Sequence, residues 1–340
     1  MGVCHHPRPA VIRYSVIVNV WPAGEAAAPV PKDLEGGWTM QQWIAELKQA
    51  GISQVLENEP LSKHTTWKIG GPADALIVPV NEEELEAVLR LCAAHGVPWS
   101  VLGRGSNTLV SDKGVRGAVI KLGNGFDELR FDGETVVAGA SYSFIKLSVM
   151  AGKEGLTGLE YAGGIPGSVG GAVYMNAGAH GSDISRILQS ASIVWEDGSR
   201  EVLGNAELKF SYRHSILQER RGIVTRAVFR LAQGDRKEIA AALATYKDRR
   251  RRTQPLQMAC AGSVFRNPPN DHAARLIEAA GLKGLREGAA EVSQMHANFI
   301  VNHGGARAED VLTLIGKVQQ IVEKTYGIAL VTEVLMMGER

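Results

Sequence analysis

The first segment whose composition suggests chemistry is Gly103-Arg104-Gly105-Ser106-Asn107, which follows a predicted strand. A Rossmann fingerprint would need a third glycine and a helix directly afterwards, but the chain continues as Thr-Leu-Val-Ser-Asp. Consecutive backbone N–H groups in such a turn can form an anion-binding nest, and the side chains of Ser106 and Asn107 add further donors. The segment therefore predicts either a diphosphate site or a plain tight turn.

A second glycine-rich segment runs from Gly158 to Gly181 and holds eight glycines in 24 residues. Glycine loses more backbone freedom on folding than any other residue, so a purely structural role would call for only one or two at turns. This density indicates that bare backbone lies against a flat or phosphorylated ligand. The residues that we expect at the ligand are Gly163, Gly164, Ile165, Gly167, Ser168, Gly170 and Gly171.

Three further segments, added to the two loops, carry a family resemblance. They are Tyr-Arg-His-Ser at 212–215, Ala-Gly-Ser-Val-Phe-Arg-Asn-Pro at 261–268 and Thr-Glu-Val at 332–334. From about Met40 to Gly338 the chain resembles the UDP-N-acetylenolpyruvoylglucosamine reductases of bacterial cell-wall synthesis. The short form of that family, which lacks an extra substrate-covering tyrosine loop, is the nearer match. Any one segment could arise by chance, but five in the family's order are specific.

The resemblance implies an NADPH-dependent UDP-N-acetylmuramate dehydrogenase with non-covalent FAD. NADPH would pass hydride to FAD, and the reduced flavin would pass it to the β-carbon of the substrate's enolpyruvyl ether, giving a lactyl ether. Hydride addition to an alkene conjugated with a carboxylate places negative charge on that carboxylate, so a cationic or hydrogen-donating group must lie beside it. A fixed proton donor must serve the α-carbon, because otherwise the lactyl stereocentre is not controlled.

The resemblance assigns the proton donation to Ser263 and the carboxylate contacts to Arg213 and Glu333. Arginine keeps its charge at every relevant pH, and its fork of donors suits a carboxylate. Serine is a weak acid, so its role requires a strongly basic intermediate next to it. The three residues lie 50 and 70 positions apart, so only the tertiary structure can bring them together. Outside the matching segments, each would be interpreted as a surface, turn or water-facing strand residue.

Four other positions are implied as contacts to the nucleotide sugar. Arg251, Asn267 and His296 match family positions that hold it, the first near the diphosphate, and His180 stands where relatives carry tyrosine. The basic run 247–252 also invites a nucleic-acid interpretation. A basic helix end is favoured by the helix macrodipole alone, so we interpret the run as a solvated helix end with one or two members reaching a phosphate.

An alternating series of helices and strands must position these residues. The apolar pattern, caps and breakers predict helices over about 41–50, 81–96, 235–252, 271–280 and 308–326. Strands are predicted at 75–80, 99–103, 117–122, 135–140, 222–231, 298–301 and 329–336, with a hairpin over 191–203 that turns at Asp197-Gly198. This order predicts an α+β fold with mixed sheets.

The resemblance implies a two-part FAD-binding unit of the vanillyl-alcohol-oxidase-like class and a smaller α+β substrate domain. We expect FAD-binding subdomains at 40–120 and 121–247, a substrate-binding domain at 248–328, and a C-terminal strand at 329–340 that returns to the active site with Glu333. Residues 1–37 are rich in proline and alanine, and residues 1–39 predict a disordered extension or a start codon placed too far upstream.

Composition excludes several classes of protein. Thirty-seven basic and 36 acidic residues give a net charge of +1, which argues against nucleic acid or an anionic membrane as the main partner. No apolar run approaches the roughly 20 residues that span a bilayer. Cys4, Cys92 and Cys260 are too widely spaced for a disulfide framework or a cysteine metal site, so we expect no metal and a cytoplasmic location. The sequence shows no sign of an obligate protein partner.

Two alternatives remain open at this point. The chain could be another flavin oxidase of the same fold, which would not need Arg213, Ser263 and Glu333 as a set. It could also be a protein that binds flavin or a nucleotide sugar without turnover. The sequence also leaves open the oligomeric state and the preference for NADPH over NADH.

Overall fold

The computed structural model describes Gly37 and residues 39–339, so most of the predicted extension at 1–39 lies outside the described residues. The helices of the described part are α1 Met40–Gln49, α2 Glu82–Ala94, α3 Phe144–Lys153, α4 Val169–Tyr174, α5 Arg236–Thr253, α6 Ala273–Ala279 and α7 Ala308–Tyr326. None of these helices is both long enough and apolar enough to span a lipid bilayer.

The strands of the same part are short. They are β1 Val55–Pro60, β2 Pro72–Ile77, β3 Trp99–Val101, β4 Thr108–Val110, β5 Val115–Ile120, β6 Leu129–Asp132, β7 Thr135–Gly139, β8 Leu156–Thr157, β9 Gly178–Ala179, β10 Ser182–Asp183, β11 Leu188–Trp195, β12 Arg200–Gly204, β13 Gly222–Arg230, β14 Ala232–Gln233, β15 Arg286–Glu287, β16 Ala290–Val292, β17 Ile300–Asn302 and β18 Leu335–Met337.

Helix boundaries follow local capping chemistry. The Thr39 hydroxyl accepts from the Gln42 N–H, and the Gln42 side-chain oxygen accepts from the Thr39 N–H. This capping box begins α1. Asn81 caps α2 and Asp235 caps α5 with their side-chain oxygens, while Gly327 ends α7 in the left-handed conformation. The predicted starts of the helices at Asn81 and Asp235 are confirmed, and so is the predicted helix over 308–326.

The first sheet has the order β1-β2-β5-β3, in which β2, β5 and β3 run parallel. Its apolar residues pack with those of α1 and α2 around the buried Trp43 and Trp99. The carboxyl ends of parallel strands are where α/β sheets bind ligands. The Gly103–Asn107 loop leaves the sheet at this edge, directly after β3, and Lys121 leaves it directly after β5.

The second sheet is antiparallel throughout, with the order β12-β11-β13-β7-β6. The predicted hairpin at Asp197-Gly198 is confirmed, since it joins β11 to β12. Helices α3 and α4 pack on this sheet through fully buried side chains such as Phe144 and Val173, which meet Phe229 of β13 in one core. That core holds α4, and therefore the loop before it, in place.

A third core contains α6, α7 and the small sheet β15-β16-β17. It also takes in Trp67 and Leu109 from the first part of the chain. The Trp67 indole N–H donates to the Ile300 carbonyl at 2.8 Å, and the Asn302 amide donates to the Trp67 carbonyl at 2.9 Å. These bonds fix the third core against the segment that precedes β2.

The predicted strand over 329–336 is wrong for most of its length. The regular strand is β18, Leu335–Met337, which pairs parallel with β4. Thr332 forms an isolated bridge with Phe265, and the Arg266 N–H donates to the Val331 carbonyl at 2.9 Å. Residues 331–334 bond to a distant loop rather than to a sheet, which no local pattern records. The strand predicted at 75–80 lies at Pro72–Ile77, and α3 was not predicted.

The predicted domain boundaries stay a proposal. Helix α5 runs from Arg236 to Thr253 and so crosses the predicted boundary between residues 247 and 248.

We expect Trp67→Phe to lower the free energy of unfolding by about 2–4 kcal/mol, because it leaves a void and removes the bond to the buried Ile300 carbonyl. Trp43→Phe is the matched control. Its indole bond is longer, at 3.3 Å, and its acceptor, the Leu91 carbonyl, also accepts from the His95 N–H. Urea unfolding followed by circular dichroism measures both. Equal losses would contradict a special role of the Trp67 bond.

Candidate active site

A cavity of about 1040 Å³ lies where the three cores meet. Both glycine loops line it, and so do five of the seven residues predicted for catalysis or substrate binding. The predicted residues on its wall are Gly103, Arg104, Gly105, Ser106, Asn107, Gly164, Ile165, Gly167, Ser168, Gly170, Gly171, His180, Arg213, Ser263, His296 and Glu333. The fold thus brings together residues that lie far apart in the chain.

The first glycine loop presents free backbone donors to this cavity. None of the five N–H groups of Gly103–Asn107 donates to an acceptor within the described residues. Gly105 has φ +62°, and a Cβ on it would lie 2.2 Å from the His64 carbonyl oxygen. Only glycine fits there, and the resulting row of free N–H groups is an anion nest.

The second loop closes against the first. The Ser106 hydroxyl donates to the Pro166 carbonyl at 2.6 Å, and a Cβ on Gly103 would lie 2.8 Å from the Ser168 hydroxyl. Ser168 caps α4 by accepting from the Gly171 N–H. Gly163 does not line the cavity. A Cβ there would lie 2.8 Å from the side chain of Leu243, so the absence of a side chain at Gly163 allows α5 to pack close to this loop.

Arg213 and Glu333 form a direct ion pair, with Arg213 Nε 2.7 Å from Glu333 Oε1. Their side chains are 20% and 16% exposed, so solvent screens the pair only partly. Arg213 Nη2 also donates to the Gly178 carbonyl at 2.9 Å. The Arg213 backbone has φ +56°, an uncommon value for a residue with a Cβ. The Gln218 side-chain amide donates to the Arg213 carbonyl at 3.0 Å. Such strain is typical of functional positions.

Ser263 lies on a loop that is clamped from both sides. On one side the Asn298 side chain bonds both the N–H and the carbonyl of Phe265, at 2.9 and 2.8 Å. On the other side the Glu333 N–H donates to the Val264 carbonyl at 2.7 Å. The Asn107 amide in turn donates to the Glu333 carbonyl at 3.1 Å. Glu333 is therefore bonded to the Arg213 side chain, the Ser263 loop and the first glycine loop.

Two of the histidines that line the cavity, His296 and His180, favour the neutral ring. Burial, and secondarily Lys283, lowers the pKa of His296, and its Nδ1 accepts from the Asn298 N–H at 3.2 Å. The proton of the neutral ring therefore stands on Nε2, which can donate to a ligand. His180 stacks on Tyr246 of α5 with ring centroids 4.0 Å apart. Burial, and secondarily Arg249, lowers its pKa too.

Two predicted substrate contacts do not line this cavity. Arg251 lines a second cavity of about 620 Å³, although Gln254 lines both. Asn267 is exposed, and its side-chain oxygen accepts from the Ala273 N–H at the start of α6. The role of each at the substrate stays a prediction.

Sequence reasoning missed several residues of the cavity wall, among them Arg249, Arg250 and Tyr174. Arg249 and Arg250 of α5 line the cavity in place of Arg251, and no periodic signal in the run of four arginines distinguishes them. Tyr174 also lines it, and its buried hydroxyl has no hydrogen-bond partner within the described residues. Burial raises the pKa of Tyr174, so its hydroxyl stays a donor. A polar ligand in the cavity would supply the acceptor that this buried hydroxyl lacks.

Comparisons with known proteins agree with this geometry. A family described as "FAD binding domain" matches residues 73–204, and one described as "UDP-N-acetylenolpyruvoylglucosamine reductase, C-terminal domain" matches residues 254–337. The predicted fold class and the predicted FAD cofactor are confirmed.

Whole-chain relatives bear the same family name. The UDP-N-acetylenolpyruvoylglucosamine reductase of Bacillus licheniformis is 54% identical over 302 residues, which is 88% of this chain and 100% of that protein. That of Bacillus subtilis is 51% identical over 300 residues, 88% of this chain and 99% of that protein. The crystal structure of the Thermus caldophilus enzyme is similar with a TM-score of 0.74 at 39% identity, covering 84% of this chain and 99% of that one.

We expect Gly105→Ala to weaken FAD binding at least about tenfold, because the methyl group forces the nest open against the His64 carbonyl. Gly133→Ala is the matched control, since Gly133 has φ +57° but a Cβ on it would meet nothing within 4 Å. Both variants carry the same left-handed strain of about 1–2 kcal/mol. Flavin retained by each purified protein after ultrafiltration measures the difference. Equal loss of flavin from both variants would show that backbone strain, not the nest, is responsible.

Proposed function

The chain belongs to the family of UDP-N-acetylenolpyruvoylglucosamine reductases, and from this premise we propose that it reduces UDP-N-acetylenolpyruvoylglucosamine to UDP-N-acetylmuramate with NADPH. It is thus an FAD-dependent reductase of peptidoglycan precursor synthesis. The observation that carries the substrate assignment is the Arg213–Glu333 pair, held next to the Ser263 loop in the cavity that both glycine loops line. A cytoplasmic location belongs to the same proposal.

The residues of the cavity fit FAD. The nest of Gly103–Asn107 suits its diphosphate, and the loop at Gly164–Gly171 offers bare backbone to a flat ring system. The cavity volume of about 1040 Å³ lies at the upper end of single-ligand pockets, which leaves room for part of a second ligand. When bound, FAD supplies a two-electron carrier between the nicotinamide and the alkene.

Arg213 is placed to bind the substrate carboxylate. A guanidinium has five N–H donors, and the bonds to Glu333 and Gly178 engage two of them, so three remain for a ligand. As hydride adds to the β-carbon, the π electron pair moves toward the carboxylate, and the fixed guanidinium stabilises the charge that develops there. Glu333 fixes the orientation of Arg213 through the bond to Nε.

Ser263 then completes the reduction. Its Oγ–H bond breaks as a Cα–H bond forms on the substrate, and the serine oxygen regains a proton from solvent. Because Asn298 and Glu333 clamp the loop from both sides, Ser263 delivers its proton from a fixed position on the cavity wall. A single face of proton delivery gives a single lactyl stereoisomer.

The experiment that tests the function is anaerobic NADPH consumption by the purified protein, with and without UDP-N-acetylenolpyruvoylglucosamine. Continuous consumption only in the presence of the nucleotide sugar supports the proposal. A flavin that NADPH bleaches once, and whose colour the sugar never restores, would favour a binding protein or a flavoenzyme with another substrate.

We expect Ser263→Ala to retain FAD and its reduction by NADPH, while product formation falls by about two to four orders of magnitude, the usual contribution of a positioned proton donor. Stopped-flow absorbance separates flavin reduction from flavin reoxidation by the sugar. Ser211→Ala, on the Arg213 loop, is the matched control, because the Ser211 side chain is exposed and makes no hydrogen bond within the described residues. Normal turnover by Ser263→Ala would overturn the mechanism.

A further inference from the structure

Four basic residues outside the catalytic set line one wall of the large cavity. They are Lys63, His64, Arg104 and Lys121. Three of them lie outside both glycine loops, and the mechanism uses none of these three. Basic side chains gathered on a cavity wall indicate an anionic ligand.

Hydrogen bonds order part of this cluster. The Lys121 ammonium lies 3.1 Å from His64 Nδ1, and His64 Nε2 lies 3.1 Å from the Glu59 carboxylate. An ammonium can only donate, so Nδ1 accepts and Nε2–H donates to Glu59. The chain of bonds from Glu59 through His64 therefore fixes the position of the Lys121 ammonium.

The charges of the cluster do not cancel. Glu59 binds His64 and also Lys63, at 3.4 Å, and the hydrogen bond from His64 is the main reason for its lowered pKa. Neither Arg104 nor Lys121 has a carboxylate partner within the described residues. Three permanent cations face one carboxylate, a surplus of two positive charges. Burial, and secondarily the charge of Arg104, lowers the pKa of Lys121.

The cluster adjoins the nest of free N–H groups. The Leu102 N–H donates to the Ile120 carbonyl at 2.9 Å, so the loop after β3 and Lys121 after β5 begin side by side. The His64 carbonyl lies against Gly105, where it excludes any Cβ. Backbone donors and cationic side chains thus converge on the same part of the cavity.

We propose that Lys121 and Arg104 are the cationic side chains of the site at Gly103–Asn107, which the proposed function assigns to the FAD diphosphate, and that His64 is a positioning residue for Lys121. The inference rests on the FAD-dependent function above. The phosphates of the nicotinamide dinucleotide share the same chemistry, so the test must separate the two sources.

We expect Lys121→Met to release FAD from the holoenzyme about 10–100 times faster, the usual effect of losing a hydrogen bond to a charged group. Methionine keeps the apolar stem, so the half-buried position remains filled. Lys146→Met is the matched control and should change release less than about twofold, since Lys146 is exposed and does not line the cavity. Flavin fluorescence after dilution into FAD-free buffer follows the release.

The positioning role of His64 has its own signature. His64→Leu should speed FAD release, whereas His64→Asn should restore retention, because its amide oxygen can accept from Lys121 in place of Nδ1. The double variant that combines His64→Leu with Lys121→Met should release FAD no faster than Lys121→Met alone. Additive effects would show that His64 acts independently of Lys121, and would overturn that part of the proposal.

A different pattern would overturn the assignment of the ligand. If Lys121→Met retains FAD like the wild type but needs more NADPH for half-maximal flavin reduction in stopped flow, the wall binds the nicotinamide dinucleotide. If neither quantity changes, the cluster binds neither dinucleotide. In both cases a wild-type protein that holds FAD and turns over the nucleotide sugar leaves the proposed function intact.

Discussion

The active site depends on one residue that bonds to three distant parts of the chain. The Glu333 carbonyl accepts from Asn107, 226 positions away, its N–H donates to Val264, and its carboxylate binds Arg213. Because these bonds leave from one short segment, the glycine loop, the serine loop and the arginine loop hold fixed relative positions. A chemical step between a flavin and a substrate requires that alignment, since the reacting atoms must be held in contact and correctly oriented.

A cationic side chain is paired with a carboxylate at one end of the cavity, whereas cationic side chains at the other end lack such a partner within the described residues. At the catalytic end Arg213 is paired with Glu333, so its position is fixed while donors remain for a ligand. At the Gly103–Asn107 end, free N–H groups stand beside Arg104 and Lys121 without a carboxylate partner for either cation within the described residues. The half-buried Lys121 ammonium lacks a counter-charge until an anion binds beside it. This end of the cavity is therefore built for the bound ligand rather than for the stability of the empty protein.

Much of the fold could be predicted because the relevant signals are local. Side-chain caps at Asn81 and Asp235 began helices where expected, and a left-handed glycine at 327 ended α7. The two glycine loops indicated a ligand through their composition alone, and the order of five short segments identified the family. Roles for Arg213, Ser263 and Glu333 came from that resemblance and stay part of the proposal, although the fold does bring them to one cavity.

The sequence by itself determined where α2 and α5 begin and where α7 ends, the glycine loops and the family, because caps, turns and short motifs act within a few residues. Only the tertiary structure decided which arginines of α5 face the cavity, since four adjacent basic residues cover every face of a helix and docking selects among them. It also decided that 331–334 bond to the 264–266 loop instead of extending a strand, and that the Tyr174 hydroxyl is buried with no partner among the described residues. Such contacts join residues far apart in the chain, and no local pattern encodes them.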